Sequence, residues 1–174
     1  MRTLIPTISF VLLLTMGCIK SVPLDCPTFL DGKNNIIINI STDNAMLVDT
    51  GLQGNYIASL KQMISENVES KLSNLLSDPI KNGRTTVSKD KVCSPSAILL
   101  EGNLASLTLS YTGNSGNYHQ RYTGTLKAKT IDCDTGAILY TENISARNRH
   151  FDDTPKELGE DFANHAYKAL YKCK

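Results

Sequence analysis

The sequence predicts a two-layer α+β domain: a mostly antiparallel five-stranded sheet with two amphipathic helices on one face, in the order β-α-β-β-β-α. Three observations predict it. Ile36, Ile38 and Ile40 fall on alternate positions, the two-residue period of a strand with one apolar face. Ile57, Leu60, Ile64, Val68, Leu72, Leu75 and Leu76 recur every three or four residues and form one stripe on a helix. Leu158, Phe162, Ala166, Ala169 and Leu170 repeat that spacing near the C-terminus. A striped helix must bury its stripe against another element, and an apolar sheet face is the available partner.

Before the first strand come two segments with other tasks. Residues 1–17 read as an export signal: Arg2, an apolar run from Leu4 to Met16 interrupted by Pro6, then the small residue Gly17. The run falls short of the roughly 20 residues that span a bilayer, and its layout fits a cleavable secretory signal. Thr15-Met16-Gly17-Cys18 resembles a bacterial lipobox, in which the cysteine becomes the first mature residue and carries lipid. Thr15 stands where such motifs usually hold Leu, Val or Ile. Ordinary cleavage at the same place would instead yield a secreted binding protein without lipid. Ile19 follows Cys18, with no aspartate there, which resembles sorting to the outer membrane. The expected location is therefore the periplasmic side of a bacterial outer membrane, held through lipid on Cys18. Residues 18–33, with Pro23, Pro27 and Gly32, read as a tether, and residues 34–174 as a single α+β domain.

Within that domain residues 35–41 form the first strand and 42–54 a polar loop. The first helix covers 55–77, with Asn55 as its cap and Asp78-Pro79 as its stop, since a residue before proline avoids helical geometry. Residues 84–88 are the second strand and 97–111 the third. In the third, Ile98, Leu100 and Leu104 lie on even positions but Leu107, Leu109 and Tyr111 on odd ones. A β-bulge, one inserted residue near 102–105, accounts for the switch. Residues 113–117 form a hairpin loop, and 118–132 and 137–149 the last two strands. Asp134-Thr135-Gly136 joins these as a tight turn with Gly136 left-handed. Thr154-Pro155-Lys156-Glu157 opens the last helix with a cap, a first-turn proline and a capping-box glutamate.

Five cysteines, an odd number, would leave one unpaired in an oxidising compartment. Assigning Cys18 to lipid leaves Cys26, Cys93, Cys133 and Cys173. These lack the close spacing of zinc ligands, so no metal is expected. Antiparallel pairing of the third and fourth strands brings Cys93 beside Cys133, and Cys26 then pairs with Cys173 by elimination. Four cysteines allow three connectivities, and this is the one that the hairpin geometry favours.

The whole chain carries a formal net charge of +1, without the basic excess of a nucleic-acid-binding protein. Its cations are unevenly placed. On the fourth strand Tyr118, Tyr122, Leu126 and Ala128 face one way, and His119, Arg121, Lys127 and Lys129 the other. The tight turn pairs Thr123 with Arg147 and Arg121 with Arg149. Arg121, Lys127, Lys129, Arg147 and Arg149 thus share one face, suited to peptidoglycan carboxylates, lipid headgroups or an acidic protein. A solvated outer sheet face is the plainer explanation. His150 lies near Asp152 and Asp153, but no serine or free cysteine stands beside them as a nucleophile. A hydrolase built on His150 is the enzymatic alternative. No phosphate-binding glycine loop or metal-binding histidine pair occurs, and no catalytic residue or cofactor is expected.

The stretch from Ser96 to Leu104, the hairpin from Leu126 to Tyr140 with Asp132-Cys133-Asp134-Thr135-Gly136, and the closing helix together resemble a class of small bacterial envelope lipoproteins. Their domain is related to the N-terminal domain of TolB. It also occurs in the periplasmic part of the curli secretion channel and in lipoprotein activators of penicillin-binding proteins. The resemblance implies a non-enzymatic protein-interaction module in envelope assembly or maintenance. It transfers no binding residue to this chain, and four cysteines beyond the lipobox are not a general feature of that class.

Overall fold

The computed structural model describes residues 33, 35–48, 54–76, 85–89, 92–113 and 119–170. Its elements are β1 (Asn35–Ser41), β2 (Met46–Val48), α1 (Gly54–Leu75), β3 (Thr86–Lys89), β4 (Ala97–Thr112), β5 (His119–Asp132), β6 (Ile138–Asn148) and α2 (Asp153–Leu170). The fold is α+β, and both helices pack on one face of the sheet. Lys33 apart, the expected signal and tether lie outside the described residues. So do Cys18, the Cys26–Cys173 pair, Asp78-Pro79 and the 114–117 part of the hairpin loop. No helix among the described residues is long and apolar enough to cross a membrane.

The sheet order is β3-β1-β4-β5-β6, with β2 beside β4. β1 runs parallel to β3 and β4, and β2 parallel to β4, whereas β4–β5 and β5–β6 are antiparallel. The sheet is therefore mixed, with six strands where the sequence pattern gives five. The parallel pairs follow from connectivity: a strand that returns after a helix re-enters the sheet in its original direction. β2 lies in the expected loop because three residues are too few to show a strand period. Leu47 nonetheless packs against the main core.

β4 is the longest strand and the hub of the sheet. β1 pairs with its first part, up to Ser41 opposite Asn103, and β2 with its second, from Met46 opposite Ser106. Between them the β5 register shifts: Leu104 lies opposite Leu126, but Ser106 lies opposite Thr125. Ala105 is the inserted residue. Ile98, Leu100 and Leu104 before the bulge and Leu107 after it therefore all enter one core. Ile36, Ile38 and Ile40 of β1 join them, with Leu60, Ile64, Val68, Leu72 and Leu76 from the α1 segment and Leu158, Phe162, Ala166 and Leu170 of α2. On the other sheet face Ile37, Ala97 and Leu99 form a smaller cluster with Ile131 and Cys133.

The two helices meet at Gly159. A Cβ there would stand 2.7 Å from the Ile64 carbonyl oxygen and 2.9 Å from Asn67 Cβ. Backbone cannot swing aside as a side-chain tip can, so this crossing admits only glycine. α2 begins at Asp153, and the expected capping box is absent. Thr154 is buried, and its hydroxyl donates to the Tyr122 carbonyl at 3.4 Å. Glu157 accepts from Asn148 Nδ2 at 2.6 Å. Both side chains serve contacts with the sheet, which compete with the local cap.

The β5–β6 turn binds the lower end of the sheet. Gly136 has φ 69°, a conformation that glycine enters without strain. Asp132 Oδ1 accepts from the Asp134 amide at 3.0 Å, and Asp134 Oδ1 accepts from the Ser96 amide at 2.8 Å. Lys33 Nζ lies 2.5 Å from both Asp132 Oδ1 and Asp134 Oδ2. The turn at Ser96 brings Cys93 back over the sheet, where it forms a disulfide with Cys133. Closing a loop with a sequence separation of 40 contributes about 4 kcal/mol by reducing unfolded-chain entropy. Burial alone raises the Asp132 pKa, but the hydrogen bond from Lys33 and that from the Asp134 amide outweigh it and hold the carboxyl below its ordinary value. The same carboxylates outweigh desolvation at Lys33 and raise its pKa.

Two outcomes follow from this packing. Gly159→Ala forces α1 and α2 apart and costs about 2 kcal/mol, read as a lower urea midpoint with an unchanged slope. Asp132, with a depressed folded pKa, contributes stability that is complete above about pH 4 and is lost as pH falls through the folded value. Asp132→Asn therefore lowers stability at neutral pH and flattens its decline as pH falls below about 4, measured by urea unfolding at each pH.

Candidate functional site

Along β5 the even positions Gly124, Leu126, Ala128, Thr130 and Asp132 are buried, so the odd positions form the outer sheet face. Register extends that face across three strands. Asn103 lies opposite Lys127, and Lys127 opposite Asn143. Ser106, Thr125 and Ser145 form the next row, and Thr108, Thr123 and Arg147 the row after it. Thr125 Oγ1 and Ser145 Oγ lie 3.4 Å apart. Arg121 follows, opposite Ser110. The result is a surface of hydroxyls, carboxamides and cations.

The five expected cations do not contribute equally. Lys129 Nζ is 3.1 Å from Glu101 Oε1, so its charge is already met. β6 ends at Asn148 opposite Tyr122, so Arg149 lies one residue beyond the ladder and does not pair with Arg121. Thr123 does lie opposite Arg147. Arg121, Lys127 and Arg147 remain on the face and form no salt bridge among the described residues. Glu101 is the one carboxylate projecting from the outer face of β4, β5 or β6 short of the turn at Asp132, and Lys129 occupies it. His119 lies at the end of β5, opposite Thr112.

A carboxylate, Glu142, lies on the opposite side of the same edge. Tyr140 and Glu142, two residues apart on β6, point toward the helices and meet His165 of α2. The Tyr140 hydroxyl donates to Glu142 Oε2 at 2.5 Å. His165 Nδ1 lies 2.8 Å from that hydroxyl and 2.9 Å from Glu142 Oε2. The Tyr140 hydrogen bond outweighs the opposing effect of burial and, with a further contribution from His165, holds the Glu142 carboxyl below its ordinary range. Burial and then the Glu142 carboxylate push the Tyr140 phenol well above its usual value. Sequence spacing does not reveal this cluster, because His165 reaches β6 only through helix packing. The alternation of Tyr140 and Glu142 on one strand face was the available signal.

His150 is exposed in the connection to α2, as are Asp152 and Asp153, and the three form no ion pair among the described residues. A shallow depression of about 400 Å³ lies elsewhere, lined by Ala58, Lys61, Gln62, Ser65 and Glu66 of α1 and Lys89 of β3. The described residues contain no cluster of histidine, cysteine, aspartate or glutamate suited to a metal ion.

No protein-family model and no curated protein matches the chain. Solved structures do resemble it. The PelC dodecamer from Paraburkholderia phytofirmans aligns with TM-score 0.45 and 8% identity, over 82% of this chain and 91% of that one. The hypothetical protein CT253 from Chlamydia trachomatis aligns with TM-score 0.47 and 12% identity, over 79% and 98%. A minor lipoprotein from Acinetobacter baumannii aligns with TM-score 0.36 and 10% identity, over 78% and 91%. At these scores the likenesses assign no function.

Removing the phenol hydroxyl tests the edge cluster. Tyr140→Phe raises the Glu142 pKa toward that of a free carboxyl, followed by carbon-detected NMR titration of the side chain.

Proposed function

We propose that this chain is a non-enzymatic, periplasm-facing lipoprotein that serves as an interaction module in envelope assembly or maintenance. Cys18 holds it to the outer membrane, and the outer face of β4–β6 receives an anionic partner. The observation that carries the reading is the charge imbalance of that face. Arg121, Lys127 and Arg147 share it while its one carboxylate, Glu101, is bound by Lys129. Arg147 lies opposite Thr123, so Arg121 is its diagonal neighbour on β5, within reach of long side chains, and an anion set between them meets two cations at once. Thr15-Met16-Gly17-Cys18 and the even set of cysteines left once Cys18 is lipidated support the anchor.

Cell fractionation and crosslinking in intact cells test the two halves separately. Cys18→Ala shifts the protein from the membrane to the soluble periplasmic fraction; retention in the membrane overturns the anchor. Replacing Arg121, Lys127 and Arg147 together by glutamate abolishes the crosslinked partner band while leaving the thermal midpoint within a few degrees, since all three lie on the surface. An undiminished band leaves the face as plain solvated surface.

A further inference from the structure

The two edges of the sheet differ. β3, at one edge, has four residues, and a short edge strand is a common protection against unwanted pairing. β6, at the other, has eleven. Its one irregularity lies next to the turn, where Thr130 pairs with Tyr140 but Ile131 with Ile138. From Tyr140 to Asn148 the ladder with β5 is regular, and one side of the strand bonds to no strand among the described residues. Ile138, Thr141, Glu142, Asn143, Ser145 and Arg147 are exposed. This stretch has no proline, glycine, lysine or bulge to discourage another strand.

We infer that β6 is a docking edge for an extended acidic segment of a protein partner, which adds to the sheet as a further strand and sets carboxylates at alternate positions on the outer face beside Arg147. The inference rests on the anionic-partner reading and names how that partner is held. Strand addition takes affinity from main-chain hydrogen bonds and selectivity from alternate side chains. Side chains directly opposed on neighbouring strands lie about 5 Å apart. One carboxylate opposite Arg147 and another two residues along therefore reach the Arg121–Arg147 end of the face. On the inner side Glu142 is engaged by Tyr140 and His165, so that carboxylate does not neutralise the arginines. A flexible anionic glycan could meet the charges but would leave the backbone edge of β6 unused, so the open edge favours a peptide strand.

Fluorescence anisotropy with the purified protein tests this, using a labelled nine-residue peptide of alternating threonine and glutamate. The expected result is saturable binding, accompanied by slower hydrogen exchange across residues 140–148. Methylating alternate backbone nitrogens of the peptide should weaken binding at least about tenfold, equivalent to 1.4 kcal/mol, and Arg147→Glu should weaken it comparably. The N-methylated probe leaves the protein unaltered, so the result does not depend on a variant's folding. Equal binding of the methylated peptide, or equally tight binding of polygalacturonate, overturns strand addition. If the glutamate substitutions still abolish capture in cells, the anionic-partner reading survives that result. A concentration-dependent dimer that protects residues 140–148 without peptide also overturns the inference, because the edge then belongs to a second copy.

Discussion

A strand shows the same side of itself every second residue, so a long strand can keep one apolar face only if its pattern never slips. β4 breaks that condition by design. Its apolar residues change parity midway, and Ala105 is inserted at the change so that the same side stays inward. The consequences reach every neighbour. β1 pairs with the part before the insertion and β2 with the part after it, while β5 crosses both. Without the inserted residue Leu107 and Leu109 would turn outward, and Ser106 and Thr108 would turn into the core. The core beneath the helices would lose Leu107.

The same parity separates charge. Facing the helices near the free edge are Glu142 and the groups that hydrogen-bond to it. Facing away are Arg121, Lys127 and Arg147, amid hydroxyls and carboxamides in aligned rows. A net charge close to neutral for the whole chain therefore conceals two unlike surfaces a strand's thickness apart. Lys33, Asp132 and Asp134 form a third arrangement at the lower end. There one ammonium lies between two carboxylates, and the three join the entry to β1, the start of β4 and the β5–β6 turn.

Much of this was legible in the sequence, for definable reasons. The bulge was visible because apolar residues before and after it occupy opposite parities. The left-handed turn residue was visible because glycine enters that conformation readily, and Gly136 has φ 69°. Arg147 opposite Thr123 followed from counting back from that turn. What escaped the sequence depends on contacts between distant segments. β2 has too few residues to show a period. Thr154 and Glu157 carry a strong local capping pattern, yet the Tyr122 carbonyl and the Asn148 carboxamide claim their side chains. Lys129 could not be known to be neutralised until β4 placed Glu101 beside it. His165 likewise stood alone until the packing of α2 brought it to Tyr140.

The position of β1 has a mechanical consequence. The chain passes from Lys33 into a strand that lies between β3 and β4, parallel to both. A pull on the chain upstream of Lys33 acts along β1 and loads the hydrogen bonds on both flanks in shear, all at once. A strand at the edge of a hairpin, pulled across its ladder, would give way one bond at a time. The ion pairs of Lys33 with Asp132 and Asp134 stand ahead of that ladder and meet the load first. Force that enters at this end of the molecule therefore meets a strand bonded on both flanks.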